Sequence, residues 1–199
     1  MERVPASPRP RQAQSWVGRT CLTVILFLGL ALPTLAAGLS KPDPAGLRLE
    51  AKFTIELASY MKFPKVKDPS SPFVIAVIGE SPFSDELEAY AKGQTIQGRS
   101  IQISYYQRVP EGRPCDLLFI CRSEWPRVGP IVAWCKTKGI LTVAEGEQLA
   151  YKGVMVSLFV EGDRLRLGIN LRALEEEGFT LGANVLQLAR VLVPPKPAR

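Results

Sequence analysis

The 199-residue sequence contains no histidine. Without an imidazole, the chain has no Ser-His-Asp or Cys-His catalytic arrangement, no histidine proton shuttle and no histidine metal ligand. It also lacks a Cys-x-x-Cys pair and the Gly-x-Ser-x-Gly turn that carries the nucleophile of many hydrolases. No aspartate or glutamate stands in an apolar stretch that would raise its pKa, so we predict no catalytic carboxylates. These absences indicate a protein that is not an enzyme.

Metal, cofactor and nucleic-acid binding are not expected either. The cysteines lack the fourth ligand that a zinc site needs, and no glycine series forms a phosphate-binding loop. Basic residues outnumber acidic ones by 25 to 19, a formal net charge of +6. Four arginines lie in the first 20 residues, and the other basic residues are scattered singly without interleaved aromatic residues. This pattern is typical of a solvated surface and not of a nucleic-acid interface.

The first 36 residues have the three parts of a secretory signal peptide. A basic segment precedes the apolar run Cys21–Leu32, and small residues follow it up to Ala36. The run has 12 residues, whereas ~20 span a bilayer. We therefore predict cleavage after Ala36 or Gly38 and export from the cytoplasm, with no membrane insertion of the mature chain. An uncleaved N-terminal anchor is the alternative. Without residues 1–36 the chain keeps 21 basic and 18 acidic side chains, a net charge of +3.

The remaining sequence predicts one folded domain over residues 47–193, because it shows no repeats and no low-complexity stretches. Residues 37–46 contain two prolines and two glycines and predict a flexible leader. Residues 194–199, with three prolines, predict a disordered tail. A domain of this size buries ~70% of the surface of its unfolded chain. It needs no disulfide or metal to fold.

Apolar runs alternate with helical patterns along this domain. The runs that predict strands are Phe73–Ile78, Ile101–Tyr106, Asp116–Cys121, Ile140–Val143, and the pair Val154–Val160 and Arg164–Ile169 around a turn. Helices are predicted to begin at Ser81, Ser123, Asn170 and Thr180, each a residue that caps helices well. The fold class is therefore α/β: a single three-layer domain with a mostly parallel sheet, helices on both faces and an antiparallel hairpin at one edge.

Residues 47–57 carry conflicting patterns. Apolar residues alternate strictly with polar ones from Leu47 to Leu57, which predicts a strand. Their composition of Leu, Arg, Glu, Ala and Lys instead favours a helix. Periodicity alone predicts a strand here.

Two short segments could contact a ligand or a partner. Tyr60, Phe63 and Pro64 place two aromatic rings before a proline, and such a group either fills the edge of the core or contacts a ligand. Gly79 and Ser81 join a predicted strand to a predicted helix, where α/β proteins hold anions, although a simple capped turn explains a single glycine equally well.

The last predicted helix supplies two further candidates. Its main apolar stripe predicts core packing, but Leu186 and Val193 lie off that stripe. They could line the surface of a homodimer or of a complex with another protein.

Three cysteines remain after removal of the signal peptide. Cys115 and Cys121 bracket one predicted strand, so ~20 Å separates them, at 3.3 Å per residue, and they cannot form a disulfide. The next helix returns Cys135 towards the start of that strand. Cys115 and Cys135 are therefore the candidate disulfide, which export would permit. Buried reduced thiols are the alternative.

Eight motifs in order give the chain a family resemblance. They are Ala58–Pro64, Phe73–Phe83, Gly93–Ile101, Cys115–Ile120, Leu141–Val143, Gly153–Met155, Gly168–Leu171 and Val185–Ala189. Each motif is weak alone, but together they are spread in family order over roughly residues 47–192, nearly the whole mature chain. Through these eight motifs the chain resembles the YfiR-like family of exported bacterial proteins. The resemblance implies a helix over residues 47–61, against the alternation described above.

The resemblance also implies a function. It predicts a periplasmic protein without catalytic activity that binds and represses the periplasmic sensor region of an inner-membrane diguanylate cyclase, and so controls cyclic-di-GMP. The predicted partner is a membrane-bound signalling protein, and a homodimer is the second assembly considered. The alternative function is a periplasmic module that binds a small ligand near Gly79 and Ser81.

Overall fold

The computed structural model describes residues 44–193 apart from Val66 and Ser84. The predicted signal peptide (1–36), the leader up to residue 43 and the predicted tail (194–199) lie outside the described residues. Among the helices of residues 44–193, none is both long enough and apolar enough to cross a membrane.

The described chain forms ten strands, five α-helices and two 3-10 helices. The strands are β1 (Met61–Lys62), β2 (Phe73–Ile78), β3 (Thr95–Ile96), β4 (Arg99–Tyr106), β5 (Leu117–Ile120), β6 (Leu141–Glu145), β7 (Val156–Glu161), β8 (Arg164–Asn170), β9 (Thr180–Leu181) and β10 (Arg190–Val193). The α-helices are α1 (Pro44–Ser59), α2 (Glu86–Ala91), α3 (Val128–Cys135), α4 (Leu171–Glu176) and α5 (Ala183–Leu188). The 3-10 helices are Arg122–Arg127 and Glu147–Lys152.

Eight strands form one sheet in the order β10-β8-β7-β6-β5-β2-β4-β3. Neighbouring strands from β7 to β4 pair in parallel, whereas β7 pairs antiparallel with β8, as a hairpin, and β4 pairs antiparallel with β3. Outside the hairpin, β10 pairs in parallel with β8, so the hairpin lies one strand in from the edge. The predicted α/β class with a mostly parallel sheet is confirmed.

Each face of the sheet covers its own apolar cluster. On one face α1 and α2 bury Ile55 and Leu87 against the central strands. On the other face α3 buries Ile131 and Val132. All six side chains of β2 are buried, as expected for a central strand covered on both faces. The result is the predicted three-layer arrangement.

Residues 47–57 are helical, as the family resemblance implies and against the alternating pattern. In α1 the fully buried Ala51, Ile55 and Ala58 are spaced four and three residues apart and form the stripe that faces the sheet. The alternation is real in the sequence, but packing against the sheet selects the helical stripe.

Two predicted helix starts are wrong. The helix predicted from Ser81 begins only at Glu86, because the ring of Phe83 turns into the core and packs on Phe119, with 4.6 Å between ring centroids. The Ser123 hydroxyl does not cap a helix. It accepts a hydrogen bond from the Glu80 amide at 2.9 Å and so joins two loops.

The helix predicted from Thr180 is also corrected. Residues Thr180–Leu181 form β9, α5 is only six residues long, and the chain then enters β10. Tertiary pairing outweighs the helical spacing here: Val191 aligns with Ile169 of β8. By contrast, the predicted cap at Asn170 is confirmed, because its side chain accepts a hydrogen bond from the Ala173 amide at 2.9 Å.

A buried ion pair holds the amino edge of the sheet, where the parallel strands begin. Asp116 is 2% exposed, and Arg99, at 5%, donates to both of its carboxylate oxygens. The Lys67 ammonium and the Val74 amide donate to the same carboxylate. Arg99 also donates to the carbonyl oxygens of two residues that precede β2. One charge cluster therefore joins β4, the start of β5 and the segment before β2.

Candidate partner-contact surface

The structure joins two of the segments that the sequence singled out. Strand β1, within the Tyr60–Pro64 turn, pairs antiparallel with β9, in the register Met61 with Leu181. The Gly182 amide donates to the Tyr60 carbonyl at 3.2 Å. The turn after α1 and the start of α5 therefore lie side by side, although they are far apart in the sequence.

Aromatic packing anchors this junction to the core. The ring of Phe63 packs edge-to-face on Phe73, at 5.3 Å between centroids, and on Phe179, at 5.2 Å. Pro64 lies against Gly178, where an added Cβ would stand 3.1 Å from the proline Cβ. Gly178 also has φ +77, which favours glycine. Phe63 and Pro64 thus fit the interpretation as a plug at the edge of the core.

Exposed apolar side chains lie on the outside of the same junction. Tyr60 is 50% exposed and Leu188, at the end of α5, is 83% exposed. Leu186 is partly buried, and α5 holds the core through Val185. We call the exposed part of the Tyr60–Pro64 turn together with α5 the contact surface. Val193 does not belong to it, because it lies in β10 and lines a separate cleft.

Gly79 and Ser81 lie at the opposite edge of the sheet. They follow the end of β2, whereas Phe63 packs at its start, so ~20 Å of strand separates the two positions at 3.3 Å per residue. A Cβ on Gly79 would stand 2.3 Å from Ser123 Oγ, and the glycine has φ +92. Ser81 Oγ accepts from the Phe83 amide. This geometry fits a tightly packed turn, because the Ser123 loop fills the space beside Gly79.

The three cysteines of the domain are buried, and burial raises the pKa of each thiol to about 12. Cys115 and Cys135 lie in the apolar cluster beneath α3, and Cys115 donates to the Leu117 carbonyl. Cys121 lies in the cluster on the other face. In the structure all three are thiols, and the pairing of Cys115 with Cys135 stays a prediction.

A pair of partly buried carboxyl groups was missed by the sequence prediction. Glu50 of α1 meets Glu145 at the end of β6. Burial raises the pKa of Glu50 to about 8, and the negative charge of Glu145 adds to this. Burial also raises the pKa of Glu145, although the charge of Arg122 opposes it. Glu50 Oε2 is buried without a hydrogen-bond partner among the described residues. The expectation that no carboxylate has a raised pKa is therefore wrong.

The raised pKa of Glu50 predicts that the folded protein becomes less stable as the pH rises. The folded chain keeps a proton on Glu50 up to about pH 8, whereas the unfolded chain releases it near pH 4.5. The free energy of unfolding should therefore fall as the pH rises between these values. Urea unfolding at pH 5 and pH 8 should show a smaller difference for Glu50→Gln than for the wild type. The exposed Glu175→Gln is the control, and an unchanged pH dependence in Glu50→Gln would contradict the assignment.

The fold defines a class of protein: a three-layer α/β domain in which an exposed turn lies beside a short helix. A family model described as YfiR/HmsC-like matches residues 47–190, so the chain belongs to this family. A search of curated proteins gives no match. The family consists of periplasmic regulators of diguanylate cyclase signalling that act with a membrane signalling protein. The resemblance drawn from the eight motifs is confirmed.

Proposed function

We propose that this protein is a non-enzymatic repressor of a diguanylate cyclase in the inner membrane. The predicted signal peptide, residues 1–36, delivers it to the periplasm and is removed. There it binds the periplasmic sensor region of the cyclase and lowers the synthesis of cyclic-di-GMP in the cytoplasm. Membership of the YfiR/HmsC-like family supports the regulatory role.

The observation that carries the proposal is the junction of β1 and β9. It places the Tyr60–Pro64 turn beside α5, so that Tyr60 and Leu188 expose apolar surface at one part of the molecule. Tyrosine and exposed aliphatic side chains supply binding energy at protein interfaces. The anchoring rings of Phe63, Phe73 and Phe179 hold this surface in place without a partner. A preformed surface loses little conformational entropy on binding.

The same surface suits a homodimer as the second assembly. In a symmetric dimer α5 of one subunit would face α5 of its partner. The proposed repressor uses the surface for the cyclase, so a homodimer through α5 and binding of the cyclase would compete.

The small-ligand function near Gly79 receives no support from the local packing. Ser123 Oγ and Glu124 Cγ lie within 2.8 Å of the position that a Cβ on Gly79 would take, so these side chains pack directly against the glycine.

Deletion of the gene tests the proposal in the organism that carries it. Cellular cyclic-di-GMP, measured by mass spectrometry, should rise in the deletion strain because the cyclase is released. Expression of the full chain should restore the lower level, whereas a chain without residues 1–36 should not, since it stays in the cytoplasm. An unchanged level under several growth conditions, or restoration by the chain without the signal peptide, would contradict the proposal.

A further inference from the structure

A cleft of about 510 Å³ opens at the amino edge of the sheet. It lies between α3, the 3-10 helix Glu147–Lys152, α4 and the end of β10. This volume falls in the ~300–1,000 Å³ range of small-molecule sites. The cleft is separate from the Gly79 turn, which lies at the opposite edge.

Three cations on three different elements surround the cleft. Lys136 follows α3, Lys152 ends the 3-10 helix and Arg172 lies in α4. Among residues 44–193 as described, none of the three forms a salt bridge. Their charges are therefore available to a ligand.

Two carboxylates also line the cleft and limit the charge of its ligand. Glu177 Oε2 already accepts a hydrogen bond from the Thr137 amide at 2.7 Å, and Glu176 is exposed on α4. Three cations against two carboxylates leave a net charge of +1 in the lining. One negative charge is therefore favoured over several, because a multiply charged ligand would be repelled by the glutamates.

The floor of the cleft consists of apolar side chains and of polar groups that already have hydrogen-bond partners within the protein. Val132, Met155 and Ala173 supply apolar surface. The polar floor groups are in use within the protein: Thr142 Oγ1 accepts from the Met155 amide, and the Asn170 side chain donates to the Ala150 carbonyl. A ligand body that offers no hydrogen bonds leaves no buried polar group unpaired here.

We propose that this cleft binds a small amphipathic monoanion, with a flat apolar body on the floor and a carboxylate between Lys136, Lys152 and Arg172. Tyr151, exposed at the rim, flanks the apolar body. The site goes beyond the proposed repression and does not depend on it, because all of its lining residues lie outside the contact surface.

The probe for this site is 2-naphthoate, which combines a flat apolar body with one carboxylate. The exported, purified protein should bind it with a stoichiometry of one in isothermal titration calorimetry. The neutral isostere 2-naphthamide should bind about tenfold more weakly, because it cannot form charge-assisted hydrogen bonds with the cations. Absence of 2-naphthoate binding at millimolar concentration, or equal binding of the amide, would overturn the proposal.

Three variants locate the binding. Ala133 lines the cleft but is exposed on α3, so Ala133→Phe should fill the cleft and abolish binding without unfolding the protein. Arg172→Gln should weaken binding about tenfold. The exposed Arg108→Gln, outside the cleft, is the matched control and should bind like the wild type. Thermal unfolding confirms that each variant is folded. Wild-type affinity in folded Ala133→Phe would place the probe elsewhere and overturn the proposal.

Discussion

Arg99→Ala should lower the free energy of unfolding by about 3–5 kcal/mol, the range for removing one partner of a buried ion pair. The substitution leaves the Asp116 carboxylate 2% exposed with Lys67 as its remaining cation. Burial alone would raise the pKa of Asp116, but hydrogen bonds from Arg99, the Val74 amide and Lys67 hold it below the ordinary value. Arg99→Ala removes the largest of these and also releases the segment before β2. Urea unfolding at pH 7 measures the change.

Two controls separate the lost pairing from lost packing. The double variant Arg99→Met with Asp116→Leu removes both charges and should recover much of the stability, because no buried charge remains unpaired. Lys67→Met should cost much less than Arg99→Ala, because Lys67 is partly exposed. A loss below about 1 kcal/mol in Arg99→Ala, the scale of an exposed pair, would contradict the structural role of the pair.

Phe179→Ala should lower the free energy of unfolding by about 3–5 kcal/mol, as large-to-small changes of buried aromatic residues do. Phe179 is buried between α4 and β9, and its ring packs on Phe63. Loss of the Phe179 ring removes the surface on which Phe63, in the Tyr60–Pro64 turn, packs. The pairing of β1 with β9 should therefore loosen before the central sheet, and hydrogen exchange should show faster exchange at the Gly182 amide.

Phe179→Leu is the matched control, because it keeps an apolar side chain of similar volume. It should cost less than about 1.5 kcal/mol and leave the Gly182 amide protected. Equal exchange at Gly182 in the wild type and in Phe179→Ala would contradict the anchoring role of this ring.

Much of the sheet could be predicted from the sequence. The strands around Ile75, Phe119 and Val143 are short apolar runs that end at glycine or polar residues, and their burial on both faces explains the absence of alternation. The hairpin turn between β7 and β8 also follows from its local sequence. These elements are specified by residues close to one another in the chain.

The structure at the end of the domain depends on contacts between residues that are far apart in the sequence. Residues 190–193 could continue a helix by spacing, but β8 presents a free edge with which they pair. Gly168 of β8 leaves room for Leu192, since an added Cβ there would stand 2.4 Å from Leu192 Cδ1. No pattern in the local sequence predicts this close packing of Leu192 against Gly168.

The strand and helix interpretations of residues 47–57 place the Glu50 side chain in different environments. In a strand, Glu50 lies on the polar face; in a helix it shares a face with Thr54 and Ala58, which are buried. The helical assignment therefore contained a signal for the Glu50–Glu145 contact. Glu145 gave a second signal, because it follows an apolar strand and shares the face of Val143.

The contact residues were predicted as separate segments and only partly converge. The turn with Tyr60, Phe63 and Pro64 lies beside the start of α5, the helix of Leu186, through the pairing of β1 with β9. These two-residue strands carry no recognisable pattern. Gly79 and Ser81 lie at the other edge of the sheet, and Val193 lies at the cleft. Their role in binding a partner remains part of the proposal.

Complementation of the deletion strain with Leu188→Asp tests the contact surface most directly. Leu188 is 83% exposed, so the substitution should leave the fold intact and place a charge in the contact surface. Cyclic-di-GMP should stay as high as in the deletion strain. Val160→Asp, at an apolar position in the hairpin that is 65% exposed, should restore the wild-type level at equal periplasmic abundance. Full restoration by Leu188→Asp would contradict repression through this surface.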